Sequence, residues 1–290
     1  MHHPLDRRQF LGCTAATSLA LLAAQQAPAE TAANPGMRFG LVTYLWGKDM
    51  DLPAVIDACA RSGLLGVELR TEHKHGVEPM LGKQQRAEVR QRFADSPVTL
   101  VGYGSNAEYH ADDPAKLRAN IELTKQYVQL MHDCGGSGVK VKPNGFVDGV
   151  PREKTIEQIG KALNEVARYG QEYGQKIRVE VHGTGTSELP VMKAIFDVAD
   201  HPNVYVCWNS NEEDLKGDGL EANFRMVQGR FGDTVHVREL NEGGYPYARL
   251  MQLFQGIRYD GWILLEARTN PQDKVVAMIE QRKVFEGLVR

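Results

Sequence analysis

Cysteine is scarce in this chain. There are four in 290 residues, Cys13, Cys59, Cys134 and Cys207, and no CxxC or other cysteine metal spacing. That excludes a disulfide framework and a thiolate metal site. Cys59, Cys134 and Cys207 fall in two predicted helices and a predicted strand, where an odd, scattered set reads as buried thiols. An excess of basic charge is missing too. Lys and Arg number 34 against 37 Asp and Glu, a formal net charge of −3, so there is no basic surface for nucleic acid. The longest apolar run is too short to span a bilayer comfortably. No Pro/Ser linker, internal repeat or low-complexity segment interrupts the chain. The first predicted strand is followed by Gly47-Lys48-Asp49 rather than a glycine-rich phosphate loop. That argues against an open, doubly wound nucleotide-binding sheet.

What is present begins with an address. Asp6-Arg7-Arg8-Gln9-Phe10-Leu11-Gly12 precedes an apolar run through Leu19–Ala24, and Ala27-Pro28-Ala29 offers small residues for cleavage. Paired arginines before Phe-Leu resemble a bacterial twin-arginine export signal. An ordinary secretory signal or a membrane anchor is the alternative. Cys13 precedes the apolar run, which is not where a lipoprotein cysteine sits. Residues 1–29 therefore read as a signal peptide, 30–36 as a short linker and 37–290 as one domain, periplasmic or exported, with no membrane span in the mature protein. The twin-arginine route carries folded proteins, which suits a chain that takes up a metal or cofactor before export.

About 260 residues remain, close to the ~250 of an eight-unit α/β barrel. Strands are predicted over 38–46, 65–70, 98–103, 139–142, 176–183, 204–209, 234–240 and 262–267. Helices alternate with them over 51–63, 82–94, 113–134, 151–173, 187–200, 219–231, 247–257 and from 270 to the C-terminus. Asp51 before Leu52-Pro53, Asp113 before Pro114, Ser187, and Asn270 before Pro271 supply the predicted helix starts. Sustained strand–helix alternation of this length implies a parallel sheet, and eight units close it into a (β/α)8 TIM barrel.

The alternation inside each strand then locates a site. Ile177, Val179 and Val181 alternate with Arg178, Glu180 and His182, giving one apolar face for the helices and one polar face for the barrel interior. The same rule turns Glu68 and Arg70, Lys140 and Lys142, His236 and Arg238, and Glu266 and Arg268 inward. Strand six sends Tyr205, Cys207 and Asn209 inward, although Trp208 interrupts its pattern. Polar side chains near strand C-terminal ends mark the active-site mouth of such barrels. Glu180, Asn209, His236 and Glu266 come from four successive strands. Two carboxylates, an imidazole and an amide oxygen suit a hard divalent ion, Mg or Mn, with Zn or Co as alternatives. Such an ion can bind two adjacent sugar oxygens and stabilise an enediolate while a flanking carboxylate removes the proton beside the carbonyl.

Glu180 ending strand five, His236-Val237-Arg238-Glu239 in strand seven and Gly261-Trp262-Ile263-Leu264-Leu265-Glu266 in strand eight resemble the xylose-isomerase-like TIM-barrel superfamily over essentially the whole mature chain. The resemblance implies that Glu180, Asn209, His236 and Glu266 bind the metal, and that Glu180 and Glu266 also exchange protons with the substrate on its opposite faces. Asn209 stands where the family usually has Asp, so it brings no negative charge. Glu212 stands where its epimerases often carry His, and Glu242 lies near a position where they carry Arg.

Each residue also has a plainer reading. Glu180 and Glu266 can be structural partners of Arg178, Arg238 or Arg268, and His236 a hydrogen-bonded core residue. His182, one step beyond Glu180, reads as a substrate contact. Lys142, Asn144, Arg70, Arg238 and Arg268 are candidates for sugar hydroxyls or a carboxylate, and Trp46 for an apolar sugar face or for rim packing. His73 and His75 in the loop after strand two, and Glu108, Tyr109 and His110 after strand three, are either mouth-loop contacts or solvated loop. The expectation is an exported, metal-dependent sugar isomerase or epimerase, acting on a small-molecule sugar, with a homo-oligomer left open. The alternatives are a dehydratase or β-eliminating lyase on an oxidised sugar, and a non-catalytic carbohydrate-binding barrel whose metal site Asn209 has degraded.

Overall fold

The computed structural model describes residues 36–290. The expected signal peptide over 1–29, and the linker up to residue 35, lie outside the described residues. Among the described residues eight parallel strands alternate with eight α-helices. In chain order they are β1 Arg38–Val42, α1 Leu52–Ser62, β2 Gly66–Arg70, α2 Lys83–Ala94, β3 Thr99–Glu108, α3 Pro114–Cys134, β4 Gly138–Lys142 and α4 Arg152–Glu172. There follow β5 Lys176–Glu180, α5 Leu189–Val198, β6 Val204–Asn209, α6 Leu220–Val227, β7 Phe231–Val237, α7 Tyr247–Gly256, β8 Trp262–Leu265 and α8 Lys274–Leu288. Each strand pairs with the next, and β1 pairs with β8 from Arg38↔Trp262 to Leu41↔Leu265, so the barrel is closed. The expected (β/α)8 barrel is therefore the fold.

Helix punctuation follows local chemistry. Asp51 accepts from the Ala54 amide and Asp113 from the Ala115 amide, each beside a first-turn proline. Such caps stabilise by ~1 kcal/mol each. Both helices end on a glycine, Gly63 and Gly135, at φ of 77° and 85°. Two expected starts are corrected. Ser187 does not cap α5, because its hydroxyl donates to the Gly183 carbonyl. Asn270-Pro271 does not open α8, because Asp273 accepts from the Val275 and Val276 amides and starts the helix three residues later.

Strand ends move for related reasons. β7 covers 231–237 rather than 234–240. Beyond Val237, the Arg238 amide donates to the Tyr247 hydroxyl and the Leu240 amide to Gln281 Oε1, so side chains of α7 and α8 replace the neighbouring strand as partners. A 3₁₀ turn at Gln228–Arg230 ends the expected sixth helix early and hands Phe231 to the strand. β1 stops at Val42, and Thr43 Oγ1 takes the Arg70 amide. β3 runs on to Glu108, five residues past its expected end, with an irregular register between Gly104 and Glu108.

The alternation holds where it was hardest to read. Trp208 points outward and packs against Phe224 and Phe231 at centroid distances of 5.9 and 6.0 Å. Cys59, Cys134 and Cys207 are free and buried. Among the described residues no helix is long and apolar enough to cross a membrane.

The barrel interior is filled in layers. Near the strand N-terminal ends, Trp262 lies over Gly66, with the Arg38 guanidinium 4.3 Å from its ring centroid. Val42, Val101 and Leu264 pack with it. Above them Arg178, fully buried, donates to Asp233 through Nε and Nη2, to the Val101 carbonyl and to Ser137 Oγ. Gly102 makes that possible, because a Cβ there would stand 2.2 Å from Arg178 Nη1. This network forms the floor of a polar layer two residues further along β5.

Candidate active site

The polar layer gathers Glu68, Lys140, Glu180, Asn209, His236 and Glu266, all buried. Each but the last sits on a strand. Glu266 follows β8 directly, and its amide donates to the Val237 carbonyl at 2.7 Å, which fixes its direction. Carboxylate and imidazole atoms of Glu180, His236 and Glu266 lie within 4.8 Å of one another. Gly104 on β3 leaves room for this layer. A Cβ there would meet Glu68 Oε1 at 2.8 Å, Arg70 Cγ at 3.0 Å and Lys140 Cε at 3.4 Å.

Both acids are tethered. Lys140 Nζ stands 2.5 Å from Glu180 Oε2, and Arg70 Nη1 stands 2.9 Å from Glu266 Oε1. Glu180 Oε1 accepts from Asn209 Nδ2 at 2.8 Å and lies 3.8 Å from His236 Nδ1. Burial works against charge on Glu180, yet Lys140 and His236 outweigh it and hold its carboxyl well below the usual range. Glu68 behaves alike, burial being outweighed by His236 and Lys140, so its carboxyl is also lowered. Burial opposes charge on His236, and the groups around it, Cys207, Glu68 and Glu180, overcome that and push the imidazole well above its ordinary value.

The donors of this layer suit a divalent ion. His236 Nε2 lies 3.2 Å from Glu68 Oε1, which turns Nδ1 toward Glu180. Both ring nitrogens of His236 and both oxygens of Glu68 are buried with no hydrogen-bond partner. Unpaired buried polar atoms around one point, with a carboxylate behind the imidazole, are arranged as metal ligands are. Asn209 departs from its expected part. An ionised carboxylate demands donors, so the amide presents Nδ2 to Glu180 and steadies it, rather than turning Oδ1 to the centre.

The remaining expected contacts separate into three groups. At the rim, Asn106 Oδ1 takes both Arg70 Nη2 and Lys142 Nζ, at 3.4 and 3.3 Å. Asn144, held at φ 69°, donates to Glu108 and receives His182 Nδ1–H at 2.8 Å on Oδ1. Burial lowers the His182 pKa, and a neutral ring donating from Nδ1 keeps its lone pair on Nε2. Arg238 and Arg268 follow β7 and β8. Arg268 is exposed, with its amide on Glu239 Oε1, and Arg238 Nε is buried without a hydrogen-bond partner.

Trp46 and His75 form the third group, and each makes a scaffold contact, which for Trp46 is its alternative reading of rim packing. Trp46 is buried and its indole N–H donates to the Thr269 carbonyl at 3.0 Å. His75 accepts from the Val77 amide on Nδ1 and donates from Nε2 to the Arg70 carbonyl at 2.7 Å. Both ring nitrogens are thereby used to shape the loop behind Arg70. His73 meets Thr43 Oγ1 at 3.1 Å, and burial pushes its pKa down to about 4.

Sequence reasoning placed Glu68 and Lys140 inward without giving them a part in the site. Glu239 and Asn106 had no part either. Glu239 Oε1 gathers the Arg268 and Thr269 amides and the Thr269 hydroxyl, and so ties the loop after β8 to the loop after β7.

A family model described as xylose isomerase-like TIM barrel matches residues 56–284. Among solved structures, an L-ribulose 3-epimerase superposes with a TM-score of 0.75 at 16% identity, over 87% of this chain and 94% of that one. The 3-keto-D-glucoside 4-epimerase of E. coli gives 0.74 at 11% identity, over 87% and 99%. The IOLI protein with a bound zinc atom gives 0.73 at 14% identity, over 87% and 98%. At these identities the likeness is one of fold. No curated protein gives a significant sequence match.

Proposed function

The chain belongs to the xylose isomerase-like TIM-barrel family, and from that premise we propose that it is a sugar isomerase or epimerase that moves a proton with Glu180 and Glu266. The observation that carries the reading is the pair of tethered carboxylates, each with one oxygen fixed by a cation and gathered around His236. The fold neighbours that act on L-ribulose and a 3-keto-D-glucoside support a keto-sugar as the substrate class.

In this reading Lys140 keeps Glu180 ionised, which suits it to take the proton beside the carbonyl. Glu266, positioned by Arg70, takes a proton from solvent and delivers it from its own side of the substrate, and Glu180 gives up its proton to solvent before the next turnover. Removal by one acid and return by the other at the same carbon is epimerisation, and return at the neighbouring carbon is isomerisation. Arg70, Lys142, Asn144, His182, Arg238 and Arg268 supply donors and acceptors for sugar hydroxyls. A divalent ion, Mn, Mg, Co or Zn, would be held by Glu180, His236 and Glu266, with Asn209 beside them. When bound it supplies Lewis acidity to vicinal sugar oxygens. The twin-arginine motif at Arg7-Arg8 supports export of the folded enzyme to the periplasm.

The test is product analysis by NMR after incubation with L-ribulose, D-fructose, D-allulose and 3-keto-D-glucosides, with Mn²⁺ added. A stereoisomer or aldose–ketose product supports the reading. An unsaturated product would move the assignment to β-elimination. Sugar binding without turnover would move it to a carbohydrate-binding protein.

A further inference from the structure

Lys140 is an unusual neighbour for a divalent-ion ligand. Its ammonium is fully buried 2.5 Å from Glu180 Oε2, and among the described residues Glu180 is the one carboxylate within ion-pair distance of it. The slot at Gly104 fixes the course of its side chain, with Cε 3.4 Å from where a Cβ would stand. A buried ammonium that cannot reach water must keep its carboxylate, because an unpaired buried charge is strongly destabilising. An ion that took Glu180 entirely would strand it.

The charges of the layer lead to the same conclusion. Glu68, Glu180 and Glu266 bring three negative charges, and Lys140 and Arg70 bring two fixed positive ones. Arg178 is matched by Asp233 below, and Lys142 lies at the rim on Asn106. An imidazole that ligates an ion has to be neutral, and with His236 in that form the cluster carries one negative charge, which a divalent ion would turn into one positive charge. Without Lys140 the same ion would leave the cluster neutral.

We propose that Lys140 is a resident cation that competes with the divalent ion for Glu180, so that this site takes such an ion loosely and exchangeably. This inference rests on the divalent-ion site of the preceding reading. Lys140 acts through Glu180 and is a positioning residue.

The experiment is calorimetric titration of the metal-stripped full chain with Mn²⁺, and separately with Zn²⁺. It compares wild type, Lys140→Met, Lys140→Arg and Glu180→Gln. Lys140→Met is expected to bind about tenfold more tightly or better, since like charges a few ångström apart repel strongly in a buried site. Lys140→Arg should stay near wild type, and Glu180→Gln should lose binding. If Lys140→Met does not fold by circular dichroism, Lys140→Gln takes its place with the same expectation. Wild-type binding that Lys140→Met leaves unchanged or weakens overturns the inference and leaves the ion site standing. No binding of either metal by wild type or by the Lys140 variants overturns the ion site itself, and the inference with it.

Discussion

Replacing Asp233 by Asn removes the charge beneath the site while keeping the side chain's shape. Arg178 is fully buried and gives two of its four hydrogen bonds to Asp233, Nε to Oδ1 at 2.9 Å and Nη2 to Oδ2 at 3.1 Å. Lys176 adds a third contact at 2.9 Å. Burial works to raise the Asp233 carboxyl, but Arg178 and Lys176 overcome it and lower it from 3.8 to about 2. A shift of that size corresponds to about 2 kcal/mol of native stability. Leaving the Arg178 charge buried without its partner raises the cost of Asp233→Asn to about 3–5 kcal/mol. For a domain of this size that is a fall in Tm on the order of 10 °C. The folded carboxyl is depressed, so its contribution is complete above the unfolded value of 3.8 and is lost as pH falls through that value toward 2. Urea unfolding of wild type and Asp233→Asn from pH 8 to pH 3 measures both effects. The stability gap should be flat from pH 8 to pH 5 and narrow below pH 4. A gap under about 1 kcal/mol at pH 7, or one indifferent to acid, would refute the claim that this ion pair holds the floor of the site.

Three further outcomes follow from the same structure. Glu68→Gln removes the carboxylate behind His236 Nε2 and should weaken Mn²⁺ binding ~10–100-fold by calorimetry, with the circular dichroism spectrum retained. Gly104→Ala places a Cβ 2.8 Å from Glu68 Oε1 and 3.0 Å from Arg70 Cγ. It should cost about 1–3 kcal/mol in urea unfolding and disturb sugar turnover more than a helix-surface alanine does. Changing Arg7 and Arg8 together to Lys should hold the protein in the cytoplasm on cell fractionation, and unchanged export would refute a twin-arginine signal.

The barrel was legible because its signals are local and repeated. Period-two strands such as Ile177–Val181, separated by capped helices, leave few other closures. The misplaced boundaries are those where a distant side chain decides. No local pattern shows that the Leu240 amide will meet Gln281, forty-one residues away. Nor does any show that Ser187 will donate backward to Gly183 instead of capping α5.

The site was half legible for the same reason. Alternation gives the face, so Glu180, His236 and Glu266 could be brought together from sequence. It does not give stagger between strands, and stagger is what sets Lys140 against Glu180 and Glu68 against His236. For Trp46 and His75 the sequence leaves a substrate contact open beside a plainer reading. Their hydrogen bonds to Thr269, Arg70 and Val77 are backbone contacts that only the folded loops define.

The central claim is that Glu180 and Glu266 exchange protons with a keto-sugar. Its most direct measurement is solvent deuterium incorporation at the carbon beside the carbonyl, followed by NMR in D₂O with Mn²⁺ present, for wild type, Glu180→Gln and Glu266→Gln. Wild type should incorporate deuterium into at least one of L-ribulose, D-allulose or a 3-keto-D-glucoside, and each variant should slow it by ~10²–10⁴-fold. Exchange that survives both substitutions, or a folded, metal-supplied wild type that exchanges none of these sugars, would contradict it.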